Sequence, residues 1–127
     1  MNSIKGDPGV VTAYTDGTKQ TDGKVAAGFC ILTASKEIQT SAAFLGENTE
    51  VFDGELYAIL IAIKALIRYY NSTCQSDMPL QKAWIFSDSQ AVVKRIQSLR
   101  IGPGQETTAS IWQYARKLTT YTQLTIS

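Results

Sequence analysis

Three carboxylates, Asp16, Glu55 and Asp88, sit where a sequence can present chemistry. Asp16 follows the β-branched and aromatic run VVTAYT at 10–15, and Asp88 follows the short apolar run AWIFS at 83–87. Glu55 adjoins Leu56 on the flank of an apolar stripe that recurs at three- and four-residue steps. In an open α/β sheet the ends of strands are where ligands bind. Carboxylates placed together repel one another unless something positive lies between them. Hard oxygen donors of this kind suit Mg²⁺, which keeps several waters and often shares its coordination sphere with substrate phosphate. The chain contains no histidine, which removes Ser-His-Asp and Cys-His catalysis, His-ligated metals and the usual general base. Two oxygen-bound ions need none of these to hydrolyse a phosphodiester.

The elements that must position these residues follow from the patterning. Val10–Thr15 reads as a strand that stops at the turn signal Asp16-Gly17. Val25–Leu32 and Glu37–Leu45 read as two more strands, joined by turns short enough for an antiparallel meander. From Thr49, a candidate cap, the residues Phe52, Leu56, Ile59, Leu60, Ile63, Ile67 and Tyr70 mark a long amphipathic helix ending in a loop at 71–79. Ala83–Ser87 is a buried-type strand ending at Asp88, and a helix at 89–99, entered directly from it, is broken by Ile101-Gly102-Pro103-Gly104. A further helix opening at Thr107 or Thr108 and a final strand at 121–127 complete the chain. The expected architecture is one α/β domain over 1–127 with a flexible 1–8. Its mixed five-stranded sheet has three antiparallel strands first and later strands joined through helices.

Composition bounds the function classes. At 127 residues, 44% hydrophobic and 18% charged, the chain can bury the core of one globular domain. Its formal net charge of +1 announces no general affinity for nucleic acid, so phosphate contacts must come from a local patch. Lys94, Arg95 and Arg100 are candidates for it, and a solvated helix face is the commoner role of such a run. No apolar run approaches the roughly 18 to 20 residues of a membrane span, and no signal peptide opens the chain. Cys30 and Cys74 have no metal-ligand partners at suitable spacing and are expected to be thiols in an intracellular, reducing compartment, nuclear or cytoplasmic. Trp84 and Trp112 are expected in the core rather than as stacking platforms. Gly54, inside a helix, implies close approach of another backbone or a tight helix-sheet contact.

Three segments carry a family resemblance: YTDGT at 14–18, DGELYAI at 53–59 and FSDSQA at 86–91. In order and spacing they resemble the signature segments of type 1 ribonucleases H. The run VFDGEL at 51–56 is closest in flavour to the ribonuclease H domains of non-LTR retrotransposon reverse transcriptases. The resemblance implies a ribonuclease H-like fold and endonucleolytic hydrolysis of the RNA strand of RNA/DNA hybrids, leaving 5′-phosphate and 3′-hydroxyl ends. It implies that Asp16, Glu55 and Asp88 hold two Mg²⁺ or Mn²⁺ ions, Asp16 bridging them. It places Gly17, Thr18 and Gln90 near the hybrid's backbone or minor groove, where 2′-hydroxyls distinguish RNA from DNA. An attached reverse transcriptase domain is an implied partner.

Departures from the family pattern bear on these expectations. The family's fourth metal-site carboxylate and a nearby His belong to a C-terminal segment of about 30 residues that would follow Ser127, so the chain reads as C-terminally truncated. That segment's helix would cover one face of the sheet, and an exposed apolar patch or self-association through that face is the expected consequence. Phe52-Asp53-Gly54 replaces a Thr-Asn pair found in many relatives, and only Ser98–Glu106 stands where some relatives carry a Trp- and Lys-rich insertion. The truncated chain is expected to be weakly active or inactive if the missing ligand is essential. The rival reading is a noncatalytic module of this fold, kept in a retroelement polyprotein as a nucleic-acid-binding surface or scaffold. An Asp-x-Asp-Gly-Thr phosphotransferase loop is excluded, because Tyr14 stands where the aspartyl nucleophile would be.

Overall fold

The computed structural model describes residues 10–19, 24–33, 37–46, 51–73, 82–98 and 105–127. In chain order the elements are β1 (Val10–Lys19), β2 (Val25–Leu32), β3 (Glu37–Gly46), α1 (Val51–Thr73), β4 (Lys82–Ser87), α2 (Gln90–Ser98), α3 (Gln105–Leu118) and β5 (Gln123–Ile126). The expected order of strands and helices is the one observed. Residues 1–8, the Thr49 cap, Cys74, Arg100 and the breaker at 101–104 lie outside the described residues.

The five strands form one sheet in the order β3-β2-β1-β4-β5. β1 pairs antiparallel with β2, and β2 with β3, as a meander requires, while β4 joins β1 in parallel and β5 joins β4 in parallel. β1 therefore lies at the centre, hydrogen-bonded on both sides, and its residues Val10–Ala13 are all buried. A strand covered on both faces loses the clean apolar-polar alternation of a half-exposed one.

One face of the sheet supports all three helices. Val11 and Ala13 of β1, Phe29 and Ile31 of β2, and Ala83 and Ile85 of β4 join α1, Val92 and Ile96 of α2, and Ile111, Ala115 and Leu118 of α3 in a single core. Every expected stripe residue of α1 from Leu56 to Tyr70 is buried. Ala58, Ala62, Ala65 and Leu66 are buried as well, because α1 packs against the sheet on one side and α3 on another. Fully burying each Leu or Ile contributes about 1.5–3 kcal/mol. The C-terminal end of α1 is tied to the turn before β5. Tyr70 stacks on Tyr121 at 6.3 Å, its hydroxyl lies 3.5 Å from Thr122 Oγ1, and Tyr121 Oη donates to Asn71 Oδ1.

The opposite face has its own row of rings. Tyr14, Phe86 and Trp84 alternate with the core-facing residues of β1 and β4 and so point away from the helices. Tyr14 stacks on Phe86 at 5.6 Å and Phe86 on Trp84 at 5.7 Å, all three half-buried. Trp84 is thus not part of the helix-side core expected for it, whereas Trp112 packs against that core. Among the described residues no helix is long and apolar enough to cross a membrane.

Strand ends differ from expectation at one functionally important place. β1 does not stop at Asp16-Gly17 but runs on to Lys19, because β2 continues the pairing: Asp16 faces Gly28, Gly17 faces Ala27, Thr18 faces Ala26 and Lys19 faces Val25. The long helix likewise extends to Thr73, and α3 begins at Gln105, ahead of the expected start.

Gly17 and Gly54 show why that extension fits. A Cβ on Gly17 would stand 2.6 Å from both the backbone nitrogen and Cγ of Glu55, and 2.8 Å from the carbonyl carbon of Gly54. One on Gly54 would meet Val25 Cγ1 at 2.6 Å, while the Gly17 Cα lies 3.9 Å away. Of the two alternatives raised for Gly54, the tight helix-sheet contact is the one observed: the clash is with the Val25 side chain, and the nearest backbone atom, Ala26 O, is 3.5 Å away. Gly17→Ala should destabilise the domain by about 1–3 kcal/mol through overpacking against backbone that cannot move aside. Gly28→Ala, whose Cβ would find its nearest atom at 3.1 Å, should cost less; urea denaturation of the two variants checks the order.

Candidate carboxylate site

Asp16, Glu55 and Asp88 are brought to one region by two separate contacts. Thr15 and Ser87 are partners in the parallel ladder between β1 and β4, so the next residues, Asp16 and Asp88, leave neighbouring strands about 4.8 Å apart. Thr15 Oγ1 donates to the Phe86 carbonyl at 3.0 Å and pins the two strands together just before both aspartates. Glu55 arrives from the helix layer, held against Gly17 by the glycine contact.

The alternative structural roles of these aspartates are taken by other residues. Asp88 does not cap α2: Ser89 does, its Oγ accepting from the Val92 N–H at 3.3 Å and its carbonyl accepting from the Val93 N–H at 3.1 Å. Ser87 Oγ accepts the Ser89 N–H at 3.1 Å, which shapes the turn between β4 and α2. Asp16 is not a turn residue, since β1 continues through it. Asp16 and Asp88 are exposed and Glu55 is half-buried. None of the three forms a hydrogen bond or ion pair among the described residues.

What converges is backbone rather than side-chain oxygen. Because Gly17 turns toward α1, strand alternation sends the Asp16 side chain to the opposite face of β1, whereas Glu55 approaches from the helix side. Among the described residues no three carboxylate, Cys or His side chains are gathered closely enough to hold one ion. The donor set nonetheless fits a hard divalent cation, being oxygen only and anionic. Exposed aspartates without partners are free to change rotamer, and a cation would offset their repulsion.

Of the residues expected to approach a substrate, Thr18 and Gln90 are exposed beside Asp16 and Asp88, and Gly17 is buried against Glu55. Lys94 is exposed and Arg95 half-buried on α2. Sequence reasoning did not single out Ser87, Ser89 or the Thr15 hydroxyl. A serine immediately before a helical run is a cap signature and could have exposed Ser89's role. The Thr15 contact spans 71 positions and leaves no local trace.

The division of labour at β4–α2 gives a direct check. Ser89→Ala should cost about 1 kcal/mol through loss of the cap. Asp88→Asn should stay within about 0.5 kcal/mol of the parent, as befits a surface change away from cap and core. Thermal and urea unfolding of the pair measure both, and a larger loss for Asp88→Asn would return that residue to a structural role.

No protein-family model and no curated protein sequence matches the chain. Solved structures do. Over 94% of this chain and 84% of the other, it is similar to RNase H1 from the halophilic archaeon Halobacterium salinarum, with a TM-score of 0.68 and 18% identity. LC11-RNase H1, solved in complex with an RNA/DNA hybrid, aligns over 92% of this chain and 84% of that one with a TM-score of 0.73 and 18% identity. The foamy viral protease-reverse transcriptase solved in complex with dsDNA aligns over 98% and 83%, with a TM-score of 0.62 and 12% identity. At such identities it is the path of the chain that is shared, and these matches, with the mixed sheet and its three helices, establish a ribonuclease H-like fold.

Proposed function

We propose that this chain is a ribonuclease H domain that hydrolyses the RNA strand of RNA/DNA hybrids with divalent cations. The observation that carries this reading is the juxtaposition, at the end of the β1–β4 ladder, of Asp16, Glu55 and Asp88, three carboxylates without partners among the described residues, on a ribonuclease H-like fold. Asp16, Glu55 and Asp88 would hold two Mg²⁺ or Mn²⁺ ions. When bound, such ions supply an activated water and neutralise charge on the leaving oxygen.

The chain's own residues provide the framework for that chemistry. The β1–β4 ladder and the Thr15 hydroxyl hold Asp16 and Asp88 on neighbouring strands, and the close packing at Gly17 holds Glu55 against the β1 backbone next to Asp16. Thr18 and Gln90 extend the exposed surface on either side and suit contacts with sugar and phosphate. The Gly17 backbone packs against Glu55. Lys94 adds a cation on α2 for phosphate.

The hybrid-bound LC11 structure and the foamy viral protease-reverse transcriptase support the choice of nucleic acid and of a reverse transcriptase domain as neighbour. The VFDGEL run at 51–56 supports a retrotransposon setting. An intracellular location is in keeping with Cys30, which is not in a disulfide. Self-association through the Tyr14–Phe86–Trp84 face is in keeping with the rings standing there half-buried, away from the helices. One observation favours the rival, noncatalytic module: the three carboxylate side chains are not gathered around a point.

A cleavage assay with an end-labelled hybrid separates the two. The parent chain should cut the RNA strand in Mg²⁺ or Mn²⁺, stop in EDTA, and spare single-stranded and duplex DNA. Asp16→Asn should lower the rate by at least about a hundredfold while hybrid binding, measured by anisotropy, stays within about threefold. Hybrid binding without cleavage by the parent would overturn the nuclease reading for this chain and leave either a need for the family's fourth carboxylate or the noncatalytic module.

A further inference from the structure

Between the helix layer and the last strand, α2, α3 and β5 line an open cleft of about 490 Å³. Ile96, Ile111 and Ala115 line it together with Trp112, Leu124 and Ile126. Its size falls within the roughly 300–1,000 Å³ of pockets that bury a ligand. Gln97 and Arg116 also line it, and both are exposed. Arg116 has no carboxylate partner among the described residues. The Trp112 indole N–H is buried and has no acceptor among them either.

The adjoining strand supplies a second set of unused groups. β5 is the edge of the sheet. Ser127 turns both of its backbone groups toward β4: its N–H donates to the Ile85 carbonyl at 2.8 Å, and its carbonyl accepts the Ser87 N–H at 3.0 Å. In a parallel ladder alternate residues face the same neighbour, so Thr125 and Gln123 also face β4, while Leu124 and Ile126 turn their N–H and C=O outward. Gln97 agrees with this parity, since its Nε2 donates to the Ile126 carbonyl at 3.3 Å. The remaining outward groups stand beside a cavity lined by the side chains of the same two residues.

We propose that this edge docks an extended peptide segment of another polypeptide, added as a sixth strand beside β5. The outward groups of Leu124 and Ile126 bond its main chain, the cavity takes an apolar side chain, and an acidic residue pairs with Arg116. Edge groups of a strand select a peptide backbone over a simple apolar molecule, and a pocket beside them selects alternate side chains. The positive charge at the rim selects an acidic flank. Gln97 then acts as a placeholder that yields the Ile126 carbonyl to the incoming strand. This inference does not rest on the nuclease reading, because it uses none of the three carboxylates and needs no metal.

The test uses the whole chain in EDTA, with a fluorescein-labelled peptide of alternating threonine and phenylalanine ending in glutamate. Saturable binding is expected, accompanied by a shift of the Trp112 indole N–H resonance, identified with Trp112→Phe, and no shift of that of Trp84. N-methylation of alternate peptide amides, and separately Arg116→Glu, should each weaken binding by about tenfold. Leu124→Pro removes an outward N–H that β4 does not use, a substitution edge strands tolerate, and should abolish binding; the N-methylated peptide tests the same bonds from the ligand side if this variant fails to fold. Absence of binding at millimolar peptide, equal binding of the N-methylated peptide, or an unchanged affinity in Arg116→Glu would overturn the proposal. Hybrid cleavage is unaffected by either result, so failure here leaves the nuclease reading to its own assay.

Discussion

The site depends on a contact between two glycines. Gly17 on the central strand lets strand and helix approach until a Cβ there would stand 2.6 Å from the Glu55 nitrogen and 2.8 Å from the Gly54 carbonyl carbon, and Gly54 leaves room for Val25, with Glu55 directly over the strand. A single Cβ on Gly17 would meet helix backbone, not a movable side-chain tip, so helix or strand must retreat. Either retreat would carry Glu55 away from Asp16. A glycine inside a helix costs about 1 kcal/mol relative to alanine, but at Gly54 an alanine Cβ would stand 2.6 Å from Val25 Cγ1 and overpack the helix-sheet contact.

The other two carboxylates are positioned by pairing rather than by packing. β1 and β4 share a register that ends with Thr15 opposite Ser87, and the Thr15 hydroxyl adds a side-chain bond across the same pair of strands. The core under these two strands contains buried side chains from three strands and all three helices, so the strands that carry the aspartates cannot shift alone. Exposed acids on a rigid platform can reorient their side chains without moving their backbone. The structure has that character at Asp16 and Asp88, and Ser89, as the helix cap, spares Asp88 from structural duty.

Much of this was legible in the sequence. The order of the eight elements, the long helix and its stripe, and the three carboxylates follow from local periodicity, turn residues and three short motifs, which depend on neighbours in the chain. What was not legible depends on distant partners. β1 continues past the apparent turn Asp16-Gly17 because β2 pairs with it there. Ala58, Ala62, Ala65 and Leu66 are buried because α3 covers a second side of α1. The placement of Trp84 on the far face follows from strand parity that its hydrophobicity alone does not reveal. At Gly17 the motif suggested proximity to substrate, while its packing against Glu55 required the tertiary fold.

The central claim is that Asp16, Glu55 and Asp88 together bind divalent cations, although their side chains are not gathered in advance. Paramagnetic broadening by Mn²⁺ in a ¹H–¹⁵N spectrum of the parent chain tests it most directly. The account predicts selective loss of amide signals around residues 16–18, 54–56 and 87–89 at substoichiometric Mn²⁺, reversed by excess Mg²⁺ and absent in Asp16→Asn. Broadening spread evenly over exposed acids, or centred elsewhere and unchanged in Asp16→Asn, would contradict it.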